Sequence, residues 1–179
     1  MENTDSMEVL KYITKDIIAS FQYIPYGALA GAIALALLFL LVKKENRHTS
    51  SMIASAIFAM YAVVLLYLTL LSRESGSRDA VNLTIFGTWG ASPQAQAFVI
   101  ENLMLFVPIG ILLPCLWKKL RIGGWCILAG FAISLFIEVT QLITGRGYFQ
   151  VDDLLTNTLG AAVGYGIYKL ASLLYCRLL

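Results

Sequence analysis

The chain has 179 residues, a formal charge of +2, 59% apolar residues and only 13% charged ones. Soluble domains run at roughly 45–50% apolar and about 25% charged. A globule of this size could not hide so much apolar surface from water, and the mean hydropathy of +0.76 agrees. Soluble-enzyme, disordered, collagen-like and disulfide-scaffold classes are excluded, and so small a charge gives no reason to expect nucleic acid.

Crossing a bilayer takes about 20 mostly apolar residues in a helix. Five stretches qualify in chain order: 24–42, 52–71, 98–117, 123–144 and 154–176. None alternates as barrel strands do, so the backbone amides must be satisfied within helices. The expected fold is all-α and polytopic, with about five spans. An N-terminal segment, 1–23, precedes one transmembrane domain, 24–179. In that segment Val9, Ile13, Ile17 and Phe21 recur every fourth residue, which predicts an amphipathic helix on the outer interface. An acidic tail that only helps to set topology is the alternative. Glu2, Asp5, Glu8 and Asp16 outnumber Lys11 and Lys15 there, the reverse of a cleavable signal.

Orientation follows from the basic residues. Lys43, Lys44, Arg47, Lys118, Lys119, Arg121, Lys169 and Arg177 fall on one side, against Lys11, Lys15, Arg73, Arg78 and Arg146 on the other. Basic loops stay in the cytoplasm, so the N-terminus is expected outside and the C-terminus inside, in the cell membrane. Cys115, Cys126 and Cys176 then sit at cytoplasmic ends and read as small apolar fillers. His48 stands alone, and no metal site is expected.

The first two spans carry no charge, whereas the last three do. Glu101 and Asn102 open the third. Ser134, Glu138 and Gln141 are spaced by four and three, so they share one face of the fourth. Arg146, Asp152 and Asp153 lie in the following loop, and Asn157 starts the fifth span. A carboxylate within the bilayer is costly unless paired, and marks a functional-site hypothesis. With Arg73 at the end of the second span, these groups are expected to form one polar cluster open to the outside. Each has a plainer reading: Asp152 or Asp153 as a helix cap, Glu101 as a solvated interfacial residue, Asn157 as an interhelical contact, Glu138 as a structural partner of Arg73 or Arg146. Gly160 and Gly164, with Ala161, predict tight packing of the fifth span on the third or fourth. Pro108, with Gly110 and Pro114, predicts a kinked third span.

These residues resemble the VanZ-like family of bacterial membrane proteins. The likeness rests on Asn102-x3-Phe106-x-Pro108-x-Gly110, Ser134-x3-Glu138-x2-Gln141, Arg146 and Asp152-Asp153-x3-Asn157-Thr158-x-Gly160-Ala161, with Tyr67-x5-Arg73 before them. Asn82-Leu83-x2-Phe86 is similar to the family's outer loop, except that Ile85 replaces a proline. The resemblance implies a role in lowering susceptibility to teicoplanin-type lipoglycopeptides, or a more general envelope role, and brings no mechanism with it.

Three functions compete. In the first, the outer cluster binds a lipid-linked cell-wall group or a lipoglycopeptide, with Arg73 or Arg146 holding its acidic groups and Glu138 as candidate acid or base. Binding is preferred to catalysis, because the sequence shows no nucleophile–base pair and no metal motif. No cofactor is expected, and the partners are membrane lipids and that ligand. In the second, the cluster is the glue of a non-enzymatic envelope protein. The third, a transporter or flippase, is the least supported, since the charges gather on one side and no inverted repeat is visible.

Overall fold

The computed structural model describes residues 2–76, 80–89 and 91–178. Arg78 lies outside them, as do the side chains of Cys176 and Arg177. Helix α1 spans Glu2–Ser20 and leads through a 3-10 turn, Phe21–Tyr23, into α2, Ile24–Leu41. Helix α3, Thr49–Leu66, ends in a π-turn at Tyr67–Leu71. Then follow strand β1 (Val81–Asn82), α4 (Pro93–Leu116), α5 (Gly123–Thr144), strand β2 (Phe149–Gln150) and α6 (Val151–Leu178).

Among the described residues, four helical runs are long and apolar enough to cross a membrane: Asp5–Leu41, Thr49–Leu71, Pro93–Leu116 and Gly123–Thr144. Helix α6 is long enough at 28 residues but less apolar, because it carries Asp152, Asp153, Asn157 and Lys169. Large apolar side chains cover the outside of the bundle, among them Leu40, Leu41, Phe136 and Ile143. Hydrocarbon solvates such a surface and water does not. The chain is a multi-pass membrane protein.

The local signals that end these helices are legible. Ser92 caps α4 by accepting from the Ala95 amide at 3.1 Å, with Pro93 at the first helical position. Gly145, in left-handed conformation at φ 61°, ends α5. There the Arg146 amide reaches the Gln141 carbonyl and the Gly145 amide that of Leu142, the paired bonds of a Schellman cap. Arg47 closes the far end of α2 on the carbonyls of Val42 and Phe39, where a cation suits the helix dipole.

Contact between α4 and α6 organises the bundle. A β-carbon on Gly160 would lie 2.2 Å from the Leu103 carbonyl oxygen; on Gly164, 2.0 Å from that of Val107; on Gly110, 2.0 Å from that of Ala161. The register 103–160, 107–164 shows two parallel helices touching backbone to backbone. Helix α5 joins them antiparallel, with Gly130 against the Ala161 methyl. The core they enclose holds Leu65, Phe106, Ile109, Leu113, Cys126, Ile137 and Ala161. Helix α4 runs through Pro108 and Pro114 as one helix. Pro114 cannot donate to the Gly110 carbonyl, and the Cys126 thiol takes that acceptor at 3.8 Å.

Helix α2 is peripheral and buries only Gly27 and Gly31, which sit on the backbone of Ala56 and Met60 in α3. Its start is held to the π-turn by Tyr67, whose ring stacks on Tyr23 and Tyr26 at 5.1 and 4.9 Å. Helix α1 docks on the head of α4, where Val9 and Ile13 bury against Ala97; Ile17 and Phe21 stay exposed. Tyr12 packs beside that contact.

Gly164→Leu is expected to separate α4 from α6, since the Val107 carbonyl cannot move without breaking α4. Overpacking costs about 1–3 kcal/mol, so the melting temperature in detergent should fall. Gly166→Leu, where nothing lies within 4 Å of a β-carbon, should leave it unchanged.

Candidate functional site

One end of the bundle collects the C-terminal ends of α3 and α5, the N-terminal ends of α4 and α6, and the loop carrying β1. The sequence-derived polar residues meet there in two tiers. Ser134, Glu138, Gln141, Asp152 and Asn157 are 5% exposed or less, and their partners are other parts of the chain. The Asn157 amide donates to Ser134 Oγ at 2.9 Å, joining α6 to α5. Gln141 Nε2 donates to the Thr69 carbonyl at 2.9 Å and Arg146 Nη1 to the Leu70 carbonyl at 3.1 Å. The last-turn carbonyls of a helix can take partners from outside it, and α5 with its cap is in this way tied to the π-turn that ends α3.

Two buried carboxylates hold loops. Glu138 Oε2 accepts from the Gln150 backbone amide at 2.9 Å. Asp152 accepts with both oxygens, from the Phe86 amide at 2.6 Å and the Thr88 amide at 2.8 Å. Strands β1 and β2 pair in parallel beside them, Val81 with Phe149 and Asn82 with Gln150. The loop lacking the resemblance's proline is shaped by an Asn82 side chain accepting from the Thr84 amide at 3.0 Å, by Phe86 at φ 60° and by the Asp152 clamp. Asp152 therefore does more than cap α6. Backbone amides near hydrocarbon need acceptors, and a carboxylate gives the stronger, charge-assisted bond.

Arg73, Glu101, Asn102 and Asp153 form the second tier, on a half-open cavity of about 660 Å³. The Asn102 side chain and Arg73 both act favourably on the Asp153 carboxylate, and Arg73 also interacts electrostatically with Glu138. Gly147 makes room for this. A β-carbon there would stand 2.8 Å from Arg73 Nη1 and 2.9 Å from Gln141 Oε1. Ile13, Ile17, Val64, Leu68, Phe98 and Leu105 supply apolar wall, while Asp16 and Gln150 are among the further polar residues on the lining. Arg146, Ser134, Glu138, Gln141, Asp152 and Asn157 do not line it.

Sequence reasoning singled out neither Asp16 as a site residue nor Thr69, Gly147 and Gln150. Asp16 is half-buried on α1, far along the chain from the other polar residues, while Thr69 and Gly147 act through backbone or empty space and Gln150 largely through its backbone amide, which leaves no mark in a motif. Among the described residues, no group of three His, Cys, Asp or Glu side chains is arranged to hold a metal ion.

A model of the VanZ/LLP1 family matches residues 58–172. The chain belongs to the VanZ/LLP1 family. It is 29% identical over 129 residues to Protein VanZ of Enterococcus faecium, covering 67% of this chain and 76% of that protein. No solved structure matches. The VanZ/LLP1 segment contains both tiers but for Asp16, and it leaves out α1 and α2.

Asp152→Ala should free the loop it clamps. Losing a charged acceptor costs about 1.5–3 kcal/mol, so the Phe86 and Thr88 amides should exchange hydrogen roughly tenfold faster or more, with the exchange of α4 unchanged. Equal exchange at both amides would remove the clamp.

Proposed function

We propose that the cavity binds an amphiphile at the outer face of the membrane, a lipid-linked cell-wall group or a lipoglycopeptide, and so lowers susceptibility to teicoplanin-type antibiotics. The observation that supports this is the mixed lining: charged and amide groups together with aliphatic and aromatic side chains on one cavity. Concave sites that are mostly apolar with a few placed polar groups are the usual form of small-molecule sites. The same end of the bundle opposes the one bearing Lys43, Lys44, Lys118, Lys119 and Arg121. Keeping that basic end cytoplasmic places the cavity outside, with an external N-terminus and a cytoplasmic C-terminus.

Binding without chemistry is the reading for the cavity. For the buried tier the partners favour a structural role. Ser134, Glu138, Gln141, Arg146, Asp152 and Asn157 join α3, α5, α6 and the outer loops, and thereby hold Gln150 and Asp153 at the cavity. Interhelical hydrogen bonds in membranes average only ~0.6 kcal/mol, so this role rests on several of them acting together.

Cells expressing the wild type should tolerate more teicoplanin, with vancomycin as control. Asn102→Leu at equal membrane level and melting temperature should lower that protection about fivefold, the effect of losing a contact of roughly 1 kcal/mol. Glu138→Gln should lose protection only in step with its melting temperature. Full protection by a stable Asn102→Leu would sink the cavity reading.

A further inference from the structure

Resting on that binding reading, we propose that the cavity selects an amphiphile whose head carries an amine, with the ammonium seated between Asp16 and Glu101. The charged groups on the described lining are Asp16, Glu101, Asp153 and Arg73, three carboxyls to one guanidinium. Arg73 already faces Asp153 and Glu138. Asp153 is further matched by the Asn102 side chain. Glu101 is different. Its Oε1 is buried with no hydrogen-bond partner, and the charged neighbour that acts on it is Asp16, another carboxylate.

A carboxylate withdrawn from water is costly until a donor or a cation reaches it. Two lining one cavity ask for a group that is both, and an ammonium has three donors and a positive charge. A phosphate or carboxylate head placed there would meet like charge on both sides. The apolar wall begins at the same spot. Ile13 and Ile17 lie on the α1 face that carries Asp16, and Phe98 and Leu105 flank Glu101 on α4, so a chain attached to the amine has hydrocarbon surface to follow.

Asp16 reaches this position because α1 is fixed. Val9 and Ile13 bury against Ala97 one turn before Glu101, which brings both carboxyl-bearing residues to one cavity. Since α1 lies outside the 58–172 segment that the family model matches, half of the amine seat comes from a part of the chain beyond that segment.

The test uses full-length protein reconstituted in bilayers of equal phosphatidylethanolamine and phosphatidylglycerol with the same acyl chains. Native mass spectrometry then counts the lipid retained after extraction. One charge-assisted contact should favour the ethanolamine lipid roughly tenfold, and Asp16→Asn or Glu101→Gln, each isosteric and checked for an unchanged melting temperature, should bring the ratio close to one. In a second arm, protein in phosphatidylglycerol alone is titrated with teicoplanin and with its N-acetylated form, and the free amine should bind more tightly. Preference for the amine in the first arm alone assigns the seat to a membrane lipid, in the second alone to the lipoglycopeptide. Indifference to the amine in both arms, a preference for glycerol heads, or a preference that survives both substitutions overturns the proposal. If lipid is retained without head selectivity and Asn102→Leu abolishes it, amphiphile binding stands and only the amine seat falls. If the wild type retains no lipid and binds neither glycopeptide, the binding reading falls with it.

Discussion

Helices α4 and α6 meet with no room for a β-carbon at Gly110, Gly160 or Gly164, and the placement of the polar groups that α4 and α6 bring to the site end follows from that contact. Without a hydrophobic force between apolar helices in lipid, association depends on close packing and backbone approach. The two helices run parallel in a register that sets the third-span residue Asn102 beside Asp153 at the head of α6. The same register turns Ala161 toward Gly130, which draws α5 in and brings Ser134 to Asn157. One tight seam therefore aligns three helices and the side chains they carry.

The carboxylates at this end are used in a way that their spacing alone does not suggest. Glu138 and Asp152 accept from backbone amides of the connecting loops. An irregular loop at the edge of a bilayer has amide groups that lipid cannot solvate, and an acidic side chain fixed on a helix supplies the acceptors. Arg146 serves the complementary need, donating to a last-turn carbonyl of α3. Polar groups that look like a ligand-binding cluster in the sequence divide, in space, into those that hold the loops and those left facing the cavity.

The cavity is what this division leaves open. Its floor is held by interactions within the chain, its charged part is formed by α3, α4, α6 and α1, and its remaining wall is hydrocarbon-like. The proposed binding of an amphiphile rests on this mixed space at the end of a membrane bundle. Membership of the VanZ/LLP1 family and the likeness to Protein VanZ are consistent with a role at the cell envelope.

Much of the architecture was legible in the residues. Apolar runs of bilayer length have one way to satisfy their amides in lipid, so the helical, multi-pass form of 24–179 follows from composition. The period of Ser134, Glu138 and Gln141 put them on one helix face whatever that face met, and Gly160 with Gly164 signalled a close contact. The family likeness followed from the same motifs. What α6 packs against, and in which direction, only the tertiary structure decided, because a small-residue face fits any neighbouring backbone. It also decided that Glu138 bonds a loop amide, that α1 brings Asp16 to Glu101, and that a π-turn at Tyr67–Leu71 receives Gln141 and Arg146. Those outcomes depend on backbone atoms, which every sequence shares, and on distances between segments that are remote along the chain.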